Sequence, residues 1–258
     1  MIDRNHVLNE FKTYVADYDI SDDKIRLKVV HTYKVAENSE RIAESLGLNS
    51  DDTDLAWLIG MLHDIGRFEQ LRRYHTFIDA DSIDHAKFGA DLLFEEGLVR
   101  KFISDTCYDD VIEASIRAHN AYVLEEDKDD RTLMFCKILR DADKIDIFRV
   151  NSEFPKEVIY DTTSEELRVS ELTDEVVEAS LKHTTVLRSL KKTPADNIIG
   201  HASLVYGIYY PGSMRLLKEQ GYIDNLMRTR NDNPETNRKL ELAFAEVKKY
   251  MDNHENDL

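Results

Sequence analysis

Six residues stand in an ordered series along this 258-residue chain: His31, the adjacent pair His63-Asp64, His85, His119 and Asp143. Imidazole and carboxylate are the donor types that hold Zn, Fe, Mn or Ni. An adjacent His-Asp pair at a helix end lets two donors reach one centre. A carboxylate has two oxygens and can bridge two ions, which an imidazole cannot do. Hydrolysis of a phosphate ester needs a nucleophile at neutral pH and cancellation of negative charge. Two divalent ions about 3.5–4 Å apart supply both through a bridging hydroxide. Six protein donors over two ions leave coordination positions open for a substrate. Taken singly, His31 or His119 reads as a core histidine satisfying a hydrogen bond; the ordered series is what points to metal.

Such side chains can converge when facing helices of a bundle aim them at one centre. The sequence supports helices. Its four prolines are Pro155, Pro194, Pro211 and Pro234, so none interrupts the first 154 residues, and glycines number only nine. Ser21-Asp22-Asp23 caps a helix that carries Ile25, Val29, Val30, Val35, Ile42 and Leu46 up to Gly47, with His31 inside it. Ser50-Asp51-Asp52 caps a second, with Leu55, Leu58, Ile59 and Leu62, that runs to His63-Asp64-Ile65-Gly66, where Gly66 suits a stop. A polar loop over residues 72–84 follows. A third helix spans His85 to Gly97, a fourth starts at Asp109-Asp110 and carries His119, and a fifth covers about residues 131–150 with Asp141 and Asp143.

Past Asn151 the pattern is less regular. Val158-Ile159-Tyr160 and Leu167-Arg168-Val169 leave room for one small β-hairpin around Asp161-Thr162-Thr163. Helices are expected near residues 174–190, 196–209 and 212–227, and Asn233-Pro234 opens a last one through Met251. With no repeat and no linker, the reading is all-α: a single domain over residues 1–258, with a metal-binding core at about 20–150 and a helical C-terminal extension at about 151–258.

The ordered series resembles that of the HD-domain superfamily of metal-dependent phosphohydrolases. The string Leu62-His63-Asp64-Ile65-Gly66-Arg67 is similar to the family signature, and Arg140-Asp141-Ala142-Asp143-Lys144-Ile145-Asp146 to its closing motif. The resemblance implies a helical core and a metal held by His31, His63, Asp64 and Asp143. His85 and His119 match members with a second ion, Asp64 being the bridge. Asp141 and Asp143 lie about 200° apart around a helix axis, so only one can face a site. Periodicity does not choose between them; the family motif places the ligand just before the lysine, at Asp143. Members that cleave cyclic dinucleotides carry two consecutive histidines at the position of His119 and a further Gly-Tyr-Pro motif. Here His119 is followed by Asn120, and Tyr210-Pro211-Gly212 is a different motif, which argues against that substrate class. The family lysine after the His-Asp pair is Arg67, a cation with a bidentate fork.

Arg67 lies about one helical turn past Asp64, and Lys144 follows Asp143. Each is a candidate phosphate contact or an ordinary surface cation, and both are expected to line the open side of the site beside Asp64 as catalytic residues. Arg72, Arg73 and His75, interleaved with Tyr74 and Phe77, can form a substrate-reading rim or a plain surface loop. Asp79, Asp81 and Asp84 read as solvated or capping, with one behind a ligand histidine. His6, His183, His201 and His254 read as structural or exposed, and Trp57 as core.

Lys plus Arg number 34 against 51 Asp plus Glu, a formal charge of −17. That field repels polyanions, so bulk nucleic acid is set aside, while a small anionic phosphorylated substrate remains open if metal ions and local cations neutralise it. Two cysteines without CxxC spacing, no apolar h-region in residues 1–10 and no run of roughly 20 apolar residues together predict a cytoplasmic protein without membrane attachment. The leading expectation is a phosphohydrolase using two divalent ions, Fe, Mn, Ni or Zn. The alternatives are a di-iron oxygenase of the same superfamily, which shares the ligand types, and a metal-binding regulatory module without turnover. The complete set of six donors argues against the last.

Overall fold

The computed structural model describes residues 2–160 and 162–254. Every regular element among them is helical, and none is a strand. The chain divides into two compact units, Met1–Asp143 and Lys144–Leu258.

The first unit contains α1 (Arg4–Val15), α2 (Asp23–Ser45), α3 (Ser50–Leu62), α4 (Ile65–Tyr74), α5 (His85–Ala90), α6 (Val99–Phe102), α7 (Asp109–Ala118) and the start of α8 (Asp130–Glu153). Short polar side chains open several of them. Asp22 accepts from the Lys24 amide ahead of α2, Asn49 from the Asp52 amide ahead of α3, and Asp84 from the Ala86 amide ahead of α5. Helix α3 is buried almost all round and packs along α2. Gly60 permits this contact, because a Cβ there would lie 2.6 Å from the Ala36 Cα. Phe11, Leu55, Leu58 and Phe68 fill the core between these helices.

One expectation fails between α3 and α5. Gly66 does not stop a helix. Helix α3 ends at Leu62, Asp64 breaks the direction with φ −105° and ψ 17°, and α4 continues at once through Gly66. The stop falls instead at His75, in the left-handed region at φ 57°. Gly66 serves as a contact point: a Cβ there would lie 2.7 Å from the Gly89 N and the His85 O, so its bareness lets α5 close on α4. Beyond Ala90, α5 runs on as a π-helical turn, Asp91–Glu95, and Gly97 at φ 77° ends it.

The second unit contains the C-terminal turns of α8 and then α9 (Lys156–Tyr160), α10 (Ser164–Val169), α11 (Asp174–Leu181), α12 (Asp196–Ala202), α13 (Pro211–Gln220), α14 (Tyr222–Met227) and α15 (Pro234–His254). The anticipated hairpin is not formed; its two strands are α9 and α10, while Asp161, at its turn, lies outside the described residues. Thr163 and Glu166 form a reciprocal capping box, which commits the segment after the turn to a helix despite its β-branched residues. Helix α15 buries Leu240, Phe244 and Val247 and packs on α11, whose Val176 and Val177 are also buried.

Candidate metal centre

The local chain explains how each donor is aimed. His63 and His119 follow the last residues of α3 and α7, where backbone carbonyls lack helical partners. Each ring donates its Nδ1–H to the carbonyl three residues back, His63 to Gly60 and His119 to Ile116, both at 2.7 Å. That bond fixes the tautomer and leaves Nε2 as the free donor. His85, first residue of α5, donates Nδ1–H to Asp79 Oδ2 at 2.7 Å. Asp64 occupies the N-cap of α4 without making a capping bond, so its carboxylate stays turned toward the histidines.

The six residues of the series converge. On one side, the His31 and His63 Nε2 atoms are 3.3 Å apart, and lie 3.6 and 3.5 Å from Asp64 Oδ2. Asp143 Oδ1 joins them, 3.1 Å from His31 Nε2 and 4.0 Å from His63 Nε2. On the other side, the His85 and His119 Nε2 atoms are 3.1 Å apart, and lie 3.6 and 3.9 Å from Asp64 Oδ1. The two oxygens of Asp64 thus face two separate donor groups. Two donors sharing one ion at about 2.1 Å stand about 3.0–3.4 Å apart for cis octahedral or tetrahedral placement, so the donor set fits divalent metal. Asp141 is fully buried, and it is Asp143 that meets His31.

Protonation suits metal binding. Burial opposes ionisation of Asp64, yet Lys28 and the surrounding imidazoles hold its carboxyl well below the ordinary carboxylate range. Burial likewise opposes ionisation of Asp143, and the hydrogen bond and charge of His31 override it. Burial, with His85 and His63 alongside, pushes the His119 imidazole down to about 3. Burial and Arg67 push His85 down as well. The anionic carboxylates of Asp64 and Asp143 and the neutral imidazoles of His85 and His119 are metal-ready forms.

Several neighbours matter that the ordered series does not reveal. Lys28, three residues ahead of His31 on α2, places Nζ 2.7 Å from Asp64 Oδ2. Asp79 is the partner of His85, and its Oδ1 accepts from Arg67 and Gln70 at 2.8 and 3.0 Å. Arg140 donates to the carbonyls of Ala118, His119 and Ala121, holding the end of α7 that presents His119. Only the i,i+3 spacing of Lys28 and His31 on one helix face was available to flag the first of these.

The remaining site candidates lie as follows. Arg67 donates to Gln70, Phe77 and Asp79, and its Nε, 3.7 Å from Asp64 Oδ1, has no hydrogen-bond partner. Arg72 and Arg73 both turn to Glu69. Arg72 and His75 line a hollow of about 440 Å³ whose walls include Asp17, Asp19 and Asp22. Neither arginine nor His75 makes a hydrogen bond or ion pair with the six converging residues. Lys144 is buried in the second unit, its ammonium 5.6 Å from the Tyr209 ring centre and its Cε 3.1 Å from where a Cβ on Gly207 would stand. Asp84 caps α5. His6 bonds to the Lys101 carbonyl, His183 to Glu246 and His254 to the Tyr250 carbonyl, and Trp57 is core.

Residues 29–147 match the HD domain family, and that span holds all six converging residues. The chain contains an HD domain. This family is of the metal-dependent hydrolase type, and HD domains bind divalent metals. No curated protein and no solved structure matches the chain. Among the described residues, no helix is long and apolar enough to cross a membrane.

Proposed function

We propose that this protein is a two-metal phosphohydrolase acting on a small anionic phosphate ester or anhydride, a nucleotide being one candidate. The observation that carries this reading is Asp64, whose Oδ2 faces His31 and His63 while Oδ1 faces His85 and His119. His31, His63, Asp64 and Asp143 would hold one ion, and Asp64, His85 and His119 the other, each Fe, Mn, Ni or Zn. Such a pair supplies an activated water at neutral pH and neutralises phosphoryl charge.

The chain's own residues do the rest. Lys28 and Arg67 bring two cations to opposite oxygens of Asp64, which favours an anionic substrate in a protein of net charge −17. Arg67 is braced by Asp79 and the Phe77 carbonyl, so its unpartnered Nε is a pre-oriented donor for a phosphoryl oxygen. Asp79 holds the His85 ring with Nε2 toward Asp64. Free Cys107 and Cys136 agree with a reducing, cytoplasmic setting.

The test is a screen of the purified chain, loaded in turn with Mn, Fe, Ni and Zn, against nucleotides and other phosphoesters. Metal-dependent phosphate release that disappears in His63→Ala is expected. Substrate-dependent oxygen consumption without phosphate release would overturn the reading in favour of a di-iron oxygenase.

A further inference from the structure

The second unit carries a polar cluster that the metal chemistry does not use. His201 on α12 meets Asn151 on α8 and Tyr160 on α9. The Asn151 amide donates to the Ile147 carbonyl at 2.9 Å and to His201 Nδ1 at 3.0 Å, while its oxygen accepts from the Tyr160 hydroxyl at 2.5 Å. The amide contact is the shortest of three to Nδ1, the Asn151 oxygen and the Tyr160 hydroxyl each standing at 3.2 Å; with Nδ1 accepting from the amide, the proton of neutral His201 sits on Nε2, which has no partner among the described residues. Lys156, one turn before Tyr160, donates to the Asn151 carbonyl and keeps two further N–H groups. Lys191 lies against Gly200, its Nζ 3.6 Å from where a Cβ would stand, next to His201 in sequence.

No described carboxylate forms an ion pair with Lys156 or Lys191. Asp196, whose charge acts on Lys191 without an ion pair, has its oxygens engaged by the backbone amides of Thr173, Lys192 and Thr193. Both lysines are partly buried, and burial pulls their ammonium groups toward neutrality. Lys156 and Lys191 both bear on His201, and cations held beside one imidazole without an ion-paired carboxylate are costly unless an anion joins them.

We propose that Lys156, Lys191 and His201 form an anion site for a phosphoryl group, with Asn151 and Tyr160 as positioning residues. Two ammonium groups and a neutral N–H suit a dianion with at least three acceptor oxygens, which also favours the charged form of both lysines; a monocarboxylate would leave one ammonium unmatched. This site lies wholly within Lys144–Leu258 and does not depend on the metal-centre reading.

The test uses the full chain and inorganic phosphate, followed by calorimetry and by the imidazole ¹⁵N signals of His201. Phosphate should shift those signals in wild-type protein. Binding should persist in His63→Ala and weaken at least tenfold in Lys191→Met and in Lys156→Met. Phenyl phosphate, added to His63→Ala, distinguishes a phosphomonoester site from one for free phosphate by which binds tighter. Unmoved His201 signals, binding abolished by His63→Ala yet indifferent to Lys191→Met, or equal affinity for acetate would each overturn the proposal. The wild-type signals decide the matter even if a variant fails to fold.

Discussion

The ammonium of Lys28 stands 2.7 Å from Oδ2 of Asp64, the oxygen that also faces His31 and His63. A fixed cation on this carboxylate offsets part of the cost of burying it, and lies where a phosphoryl group would need a counter-charge. Lys28→Met should lower kcat/KM by about a hundredfold, a loss typical of one electrostatic donor. Steady-state kinetics on the best phosphoester substrate, at matched metal content, measure it. Unchanged kcat/KM would remove Lys28 from the substrate's surroundings.

His85→Ala and His119→Ala test the division of Asp64 between two ions. Each should reduce bound metal from two equivalents to one by elemental analysis. Each should also remove most turnover while the helical circular dichroism stays the same. Were both variants to keep wild-type metal content and rate, a one-metal hydrolase would be the correct description.

Asp79→Asn tests the support behind His85. The amide can no longer accept as a charged partner, and loss of such a partner weakens metal binding by about 10–100-fold. The second ion should respond far more than the first, since Asp79 bonds to His85 and to none of His31, His63 and Asp143. Competition with a coloured chelator resolves the two affinities. Equal weakening at both ions would contradict this assignment.

Much of this centre is readable from residue order. Helical spacing places His31 within α2 and Asp143 within α8, and the His63-Asp64 pair falls at a helix end as the string before it suggests. What residue order does not reveal is packing. Gly66 looks like a helix stop because glycine often is one, and only the approach of Gly89 shows its other use. The segments around Val158 and Leu167 look like strands because β-branched residues favour them. The Thr163–Glu166 box and the partners those residues find in the fold decide otherwise. Beyond its spacing from His31, nothing in one dimension marks Lys28, and Arg140 stands only as the first residue of the closing motif; their contacts exist only once α7 and α8, or α2 and α4, are neighbours.

Gly66→Ala puts a methyl group against backbone atoms of α5, which cannot swing away as a side chain would. A loss of about 3 kcal/mol is expected, together with weaker binding of the ion held by His85. Urea unfolding and metal titration of the same variant check both. A neutral effect on each would mean that α4 and α5 are not in contact.

The acid response of the second unit is predicted from His201, whose imidazole burial pushes down to about 3. A histidine in the unfolded chain takes up its proton near pH 6.5, whereas His201 in the fold does not until far lower. Stability from this residue is therefore intact above pH 6.5 and falls as pH drops from there toward 3, by about 1.4 kcal/mol per pH unit. His201→Asn removes that slope. In phosphate-free buffer, wild type and variant should converge or cross as pH falls from 7 to 4.5 in urea titrations, and parallel curves would refute it.

The junction at Asp64 makes the centre intolerant of changes in length. Helix α3 ends at Leu62 and Ile65 begins α4, with only the two donors His63 and Asp64 between them. One amino acid inserted before His63 would swing its imidazole by about 100° around α3, and one inserted after Asp64 would carry Gly66 off its contact with α5. The exposed loop over residues 125–127 bears no such constraint on register. Gain or loss of residues in natural or engineered versions of this chain is thus expected there, with the seam between α3 and α4 kept at two residues.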